Sequence, residues 1–388
     1  MTNTPRLGIV GLGAQGSVYA ELVSDGLVPN MDLGAICDGN PATRQLVESE
    51  YPAAAFYDDY LTMLESGSVD AVVICVPSYL HPQMGIDALQ HGIHVLLEKP
   101  AGVYTKQVEE LNAVAATKPE LTFAIMFNQR NNPLYRRIKE IISSGGIGAI
   151  RHTSWIITTW WRPQAYYDQS AWRATWGGEG GGVLVNQAPH QLDLWLWICG
   201  LPQSVYAKVA YGFRRAIAVE DEATAIVDYG QGATGVFITA THDFVGTDRF
   251  EILGDSGKIV VENSATATVT RLKKPERELS EAVDQQDISR LLSGRLDLSQ
   301  YHSSEIIESE AQWGAQHAGM LENFAASILH DAPLIAPGVE GINSVRLANA
   351  IHLSSWTGQE VPFDFNDDDY LAELNSRIRD EGLSQQRA

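Results

Sequence analysis

The sequence predicts an α/β protein in two parts, a doubly wound parallel sheet followed by an α/β region built on a mainly antiparallel sheet. Three observations carry that reading. Short apolar, β-branched runs alternate with helical stretches over the first third of the chain, the pattern of strands joined by crossover helices. Beyond Asn128 the runs become short, alternating, and divided by Gly, Asp and Asn, which suits antiparallel pairing. The 388 residues exceed one ordinary core and fit two domains, expected at 1–128 and 129–388.

In order, residues 7–10 read as the first strand, 16–24 as the helix after it, 33–37 as the second strand and 41–50 as a further helix. Val69 to Val76 is a buried strand by its length and β-branched content, 82–91 a helix, and His94 to Glu98 the next strand. After a helix at 106–116, the run 122–127 closes the first domain. The second opens with a helix at 133–143 ended by Gly145-Gly146, then alternating segments at 151–159, 204–211, 223–229, 235–241, 249–253 and 258–263, interrupted by one helix at 190–199. Residues 276–310 are charged and lack a strand period, so they read as a partly helical insertion that reaches over a neighbouring subunit. Helices at 317–329 and 340–356 follow, separated by a turn at Ala336-Pro337-Gly338.

Composition excludes several classes of function. A formal net charge of −21 repels phosphate backbones and anionic lipid surfaces, so neither nucleic acid nor a membrane is an expected partner. Residues 1–6 are polar, unlike a signal peptide, and no run approaches the roughly 18 apolar residues of a membrane span. A cytoplasmic location is expected. Cys37, Cys75 and Cys199 are the only cysteines, without metal-like spacing, so no disulfide framework and no metal site is implied.

Chemistry enters with Gly11, Gly13 and Gly16, which follow a strand and open a helix. The first permits a tight turn, the second lets backbone approach a pyrophosphate, and the third allows close helix packing, with Ala14 and Gln15 on the same phosphate-facing turn. Asp38, at the end of the second strand, can accept hydrogen bonds from adenosine ribose hydroxyls and repels a 2′-phosphate. NAD is therefore favoured over NADP, while Arg44 on the next helix leaves dual use open. His190 has an unperturbed pKa near 6.5, suited to moving a hydroxyl proton. Asn186 lies four residues before it, on the same face if the helix has begun. The glycines from Gly177 to Gly182 would let a substrate ring approach backbone. Trp160, Trp161, Arg162, Tyr166, Tyr167, Trp172 and Arg173 form the densest aromatic and arginine cluster, suited to the apolar face and hydroxyl rim of a cyclic polyol.

Together, Gly11 to Gly16, Asp38, Val76-Pro77-Ser78-Tyr79-Leu80-His81, Glu98-Lys99-Pro100 and the run from Gly180 to Asp193 resemble the Gfo/Idh/MocA family. The resemblance spans nearly the whole chain, least at 276–310. It implies a Rossmann domain, a second α/β domain on a large open sheet, and hydride transfer between nicotinamide and a secondary hydroxyl or ketone of a sugar, glycoside or inositol. It implies that Lys99 lies between nicotinamide and substrate and that His190 exchanges the hydroxyl proton. Pro77, Ser78, His81, Glu98, Asn128, Trp161 and Arg162 would contact the cofactor, and Tyr167, Trp172, Arg173, Asn186 and Asp193 the substrate. Arg130 and His317 reach the same cleft in this reading. Asn186 stands where many members carry aspartate; asparagine cannot titrate, so the proton falls to His190 or to Lys99, with Asn186 orienting. Relatives that cleave or epimerise glycosides through transient oxidation with retained NAD offer a second reading, and a nucleotide-sensing regulator on the same fold a third. An antiparallel sheet with one apolar face needs a cover, so a homodimer or homotetramer is expected.

Overall fold

The computed structural model describes residues 4–309 and 314–385. Glu310, the end of the expected insertion, and Trp313, just before the stretch carrying His317, lie outside the described residues.

The first sheet contains β1 (Arg6–Val10), β2 (Asp32–Cys37), β3 (Ala55–Tyr57), β4 (Ala71–Ile74), β5 (His94–Leu97) and β6 (Phe123–Ile125). All neighbours are parallel, in the order β3-β2-β1-β4-β5-β6. Val72, Val73 and Ile74 on β4, with Val95, Leu96 and Leu97 on β5, are fully buried, as strands covered by helices on both faces must be. The order reverses between β1 and β4, and such a reversal opens a crevice at the carboxyl ends of the strands.

The second sheet has nine strands: β7 (Ile150–Ile157), β8 (Ser204–Tyr211), β9 (Glu220–Gly230), β10 (Ala233–Ala240), β11 (Asp248–Gly254), β12 (Gly257–Glu262), β13 (Thr266–Leu272), β14 (His302–Glu308) and β15 (Val361–Pro362). Their order is β14-β13-β12-β11-β7-β10-β9-β8-β15. Every pair is antiparallel except β7 with β10. Alternation sorts the side chains. Trp155, Phe237, Phe250, Ile252 and Ile259 are buried in one core with Leu192, Trp195 and Ile351 from the helices Pro189–Cys199 and Gly341–Thr357. Trp155 stacks on Phe250 at 4.3 Å between ring centres, and its indole N–H donates to Asp248 at 3.1 Å, which answers the polar edge of a buried indole. On the opposite face Tyr206, Ile226, Leu253 and Ile306 are exposed.

The segment 276–310 departs from expectation. Two short helices, Glu276–Ala282 and Gln285–Leu292, lead into β14, which pairs along β13 and forms one edge of the sheet. The helix Ala315–His330 returns to the first half and buries Met320, Leu321, Phe324 and Ala325 in the core around the parallel sheet.

Candidate active site

The glycine turn lies at the reversal of strand order. Gly11 has φ +88°, and a Cβ there would sit 2.8 Å from the Cys75 carbonyl oxygen at the end of β4. A side chain would therefore close the crevice at its base. Gly13 is the opposite case: a Cβ would meet nothing within 4 Å, so the turn leaves open room above the first turn of the helix Ala14–Ser24. Asp38 accepts from the Leu12 amide and the Asn40 amide, both at 2.8 Å, which fixes its carboxylate beside that turn. Arg44 lies over the Phe56 ring at 4.6 Å and 3.7 Å from Asp58. Gln15 lines the crevice with a buried Nε2 that lies by the Tyr19 hydroxyl and has no well-formed hydrogen bond among the described residues. Open room over an amide-rich turn, a fixed carboxylate at its flank and an amide donor without a well-formed partner fit a dinucleotide.

The crevice continues into a cleft of about 400 Å³ lined by Pro77, Ser78, His81, Glu98, Lys99, Tyr166, Trp172, Arg173, Glu179 and Asn186, among others. Lys99 follows β5 and Glu98, and its Nζ donates to the backbone carbonyl of Asn186 at 3.1 Å. Glu98 is 8 % exposed; it accepts from the Tyr19 hydroxyl and, at 2.9 Å, from the Lys99 amide. Burial pushes the Glu98 carboxyl upward against the pull of Lys99 and Tyr19.

His190 is the second residue of the helix Pro189–Cys199, half-buried, its ring edge-on to Phe127 at 6.4 Å. Its Nδ1 is buried and accepts or donates no hydrogen bond among the described residues. Burial, then the Lys99 ammonium and His317, hold its pKa well below the usual imidazole value. Lys99 lines the cleft, whereas His190 is not among the lining residues and lies behind the wall, within the field of the ammonium. Asn128 donates to His317 Nε2 at 3.0 Å, behind the same region.

Several expected residues stand elsewhere. The helix starts only at Pro189, so Asn186 precedes it, and Lys99 meets its backbone carbonyl rather than its side chain. His81 is 1 % exposed, with Nδ1 2.7 Å from the Pro100 carbonyl and Nε2 2.8 Å from that of Val76. Both ring nitrogens face backbone carbonyls, and since burial favours the neutral ring with its single N–H, His81 donates to one of the two and turns both nitrogens to the protein rather than to a cofactor. Tyr167 is buried with its hydroxyl donating to Thr241 at 3.0 Å, and its neighbour Tyr166 lines the cleft instead. Asp193 gives both carboxylate oxygens to Arg130 at 2.9 and 2.6 Å, which withdraws it from any substrate. Trp161 packs edge-on against Phe244 and is absent from the cleft wall; Arg162 reaches it only through Tyr166, over whose ring it lies at 5.1 Å. Asn128, 3 % exposed, sits behind the wall. Tyr19 and Glu179 were not anticipated as parts of the site. Tyr19 carried no readable signal, whereas Glu179 was the one charged residue inside a glycine run.

Two family models match this chain: an oxidoreductase family with an NAD-binding Rossmann fold over residues 5–126, and a Gfo/Idh/MocA C-terminal domain over 135–260. The chain belongs to the Gfo/Idh/MocA family. Inositol 2-dehydrogenase of Rhizobium meliloti is 25 % identical over 359 residues, covering 89 % of this chain and 96 % of that protein. scyllo-Inositol 2-dehydrogenase (NADP(+)) IolW of Bacillus subtilis is 26 % identical over 91 % of this chain and 94 % of its own. Among solved structures, the WlbA dehydrogenase from Bordetella pertussis in complex with NADH and UDP-GlcNAcA matches with a TM-score of 0.78 at 25 % identity, over 94 % of this chain and 99 % of that one. This Gfo/Idh/MocA protein is accordingly an NAD-binding oxidoreductase, and among its described residues no helix is long and apolar enough to cross a membrane.

The room over Gly13 makes a specific demand on the cofactor. Gly13→Ala is expected to leave the melting temperature unchanged, because the new methyl meets nothing, and to weaken NADH binding by about tenfold or more. Calorimetric titration with NADH beside a melting curve checks both halves.

Proposed function

We propose that the protein is an NAD-dependent dehydrogenase that transfers hydride between nicotinamide and a secondary hydroxyl or ketone of a sugar, glycoside or inositol. The observation that carries this reading is Lys99 on the cleft wall, its Nζ on the Asn186 carbonyl four residues before His190, with the imidazole behind that wall and within the field of the ammonium. NAD bound in the crevice supplies the hydride acceptor. Lys99 exchanges the Asn186 carbonyl for the substrate oxygen and stabilises the alkoxide that develops there. His190, neutral because of its burial and its cationic neighbour, takes the hydroxyl proton and returns it in the reverse direction. Tyr166, Trp172 and Arg173 supply a wall for the ring: Arg173 lies over both aromatic rings, at 4.6 and 5.0 Å, and donates to the Tyr166 hydroxyl at 2.6 Å. Asp38 and the diversion of Arg44 to Phe56 favour NAD over NADP as the cofactor.

We infer further that a second copy of the chain covers the open sheet face. Tyr206 pairs across to Ile226, and Ile226 to Val236, a row that stands outward from the core.

A panel of myo-inositol, scyllo-inositol, glucose and methyl glucoside with NAD, followed by the absorbance of the reduced nicotinamide, tests the activity. Turnover of at least one member is expected, and silence across the panel would overturn the reading. Lys99→Ala should lower kcat by roughly 10²–10⁴-fold while NADH still binds. The depressed imidazole fixes the sign of the pH dependence: His190 stays a proton acceptor below its ordinary value near 6.5, so the acid limb of log kcat for oxidation should fall below that pH. A limb centred above it would contradict the assignment. Ile226→Arg should shift the sedimentation coefficient to a smaller species without lowering the melting temperature of the chain.

A further inference from the structure

The cleft contains a carboxylate with no place in the reaction just described. Glu179 is 5 % exposed, yet it lines the cleft beside Asn186, Arg173 and Lys99. Its Oε2 accepts from the Ala174 amide at 2.7 Å, and its Oε1 accepts from the Asn186 side-chain Nδ2. Arg173 Nη1 stands 3.8 Å from that same Oε1. Burial pushes the carboxyl upward, while Ala174, Asn186 and Arg173 hold it down.

This arrangement decides which way an otherwise reversible amide points. A carboxylate accepts hydrogen bonds and cannot donate them. The Asn186 NH2 must therefore turn toward Glu179, which leaves Oδ1 as the uncommitted end of a side chain that lines the cleft. Among the described residues no group donates to Oδ1. The Asn186 backbone carbonyl is meanwhile taken by Lys99, so the segment is held at both its main chain and its side chain.

We propose that Glu179 is a positioning residue: it fixes the Asn186 amide so that the carbonyl oxygen, and not the NH2, accepts a substrate hydroxyl beside Lys99. The proposal rests on the dehydrogenase reading for the identity of the hydroxyl, and on the pair alone for the orientation. It names the substrate as one that presents an O–H donor at this point, next to the carbon that reacts.

Reciprocal substitution separates this role from simple packing. In Glu179→Gln the Ala174 amide claims the new side-chain oxygen, so the new NH2 faces Asn186; Asn186 must turn over and present NH2 to the cleft. In Asn186→Asp two carboxylates meet where a donor and an acceptor had met, and like charges at that distance repel. In the double variant E179Q/N186D, the introduced glutamine donates to the introduced aspartate and accepts from Ala174, and an oxygen faces the cleft again. With the panel member of highest kcat/KM, each single variant is expected to lose about ten- to a hundredfold, with Glu179→Gln losing chiefly through KM, and the double variant is expected to exceed both. Without any substrate, N186D should melt several degrees below the native protein and the double variant should recover most of that loss.

Retained kcat/KM in Glu179→Gln overturns the proposal, as does a double variant that turns over no faster than the singles, melts no higher than N186D, or fails to fold. NADH affinity, read by fluorescence titration, should stay near native in all three. If the native enzyme is silent on the whole panel, the dehydrogenase reading falls, and the melting cycle still decides whether Glu179 orients Asn186.

Discussion

Arg130 is the contact on which the site's geometry depends. It is 3 % exposed, lies just beyond β6, and its guanidinium takes both oxygens of Asp193 on the helix of His190 while also bonding Glu340 at 2.5 Å. Three segments remote in sequence therefore meet on one planar fork. A buried ion pair contributes little net stability over apolar packing, but removal of one partner strands the other and costs about 3–5 kcal/mol. The planar, five-donor geometry matters more than the charge, since a lysine could not hold two carboxylates in fixed directions. Asp193 stands one helical turn from His190, so the junction that orients Asp193 also aims the imidazole.

A second buried pair supports the opposite wall. Glu220 Oε1 accepts from the Gly182 and Leu184 amides at 2.8 and 3.0 Å, and its Oε2 lies 3.1 Å from His352 Nε2, with both side chains fully buried. His352 stacks on Trp356 at 5.3 Å, which stacks on Tyr370, while Glu381 accepts from the Trp176 and Gly177 amides at 3.1 Å. The glycine run that carries Glu179 is thus gripped from below by the sheet and from its outer end by the helix Asp367–Gln385. Preorganisation of this kind removes the need to order the wall when substrate arrives.

Much of this was legible because burial on two faces forces a continuous apolar run. β1, β4 and β5 read directly from Leu7-Gly8-Ile9-Val10, Val69 to Val76 and His94 to Glu98 for that reason. β3 was not legible, since three residues carry no period, and neither was β14, whose Ser303, Ser304 and Glu305 are exposed at a sheet edge. β13 hides behind three threonines, Thr266, Thr268 and Thr270, on its open face, and the helix Asp367–Gln385 behind a polar sequence. In the cleft, the residues fixed by backbone geometry were readable: the glycine turn, Asp38, Ser78 and Lys99 all fall where strand ends deliver them. Side chains whose partners come from distant segments were not. Asp193 looked free until Arg130 was placed beside it, and Tyr166 and Tyr167 cannot be told apart until the short helix Gln164–Tyr167 sets which faces the core.

The electrostatics of the cleft run against those of the surface. The chain carries −21 overall, yet its buried carboxylates are each matched to a donor: Glu98 to Tyr19 and the Lys99 amide, Glu179 to Asn186 and Ala174, Glu220 to two amides. Held in this way, the carboxylates have fixed hydrogen-bond directions, and Glu98 also interacts with the Lys99 charge. Burial, and with it the Lys99 ammonium, drives the two nearby imidazoles, His81 and His190, away from the protonated form. A substrate alkoxide would reverse the balance, because negative charge between ammonium and imidazole removes the repulsion that keeps the imidazole neutral. In the proposed reaction, proton transfer to His190 would become easier as charge develops on the reacting oxygen, so the same Lys99 that withholds a proton from the resting site would permit one to arrive during reaction.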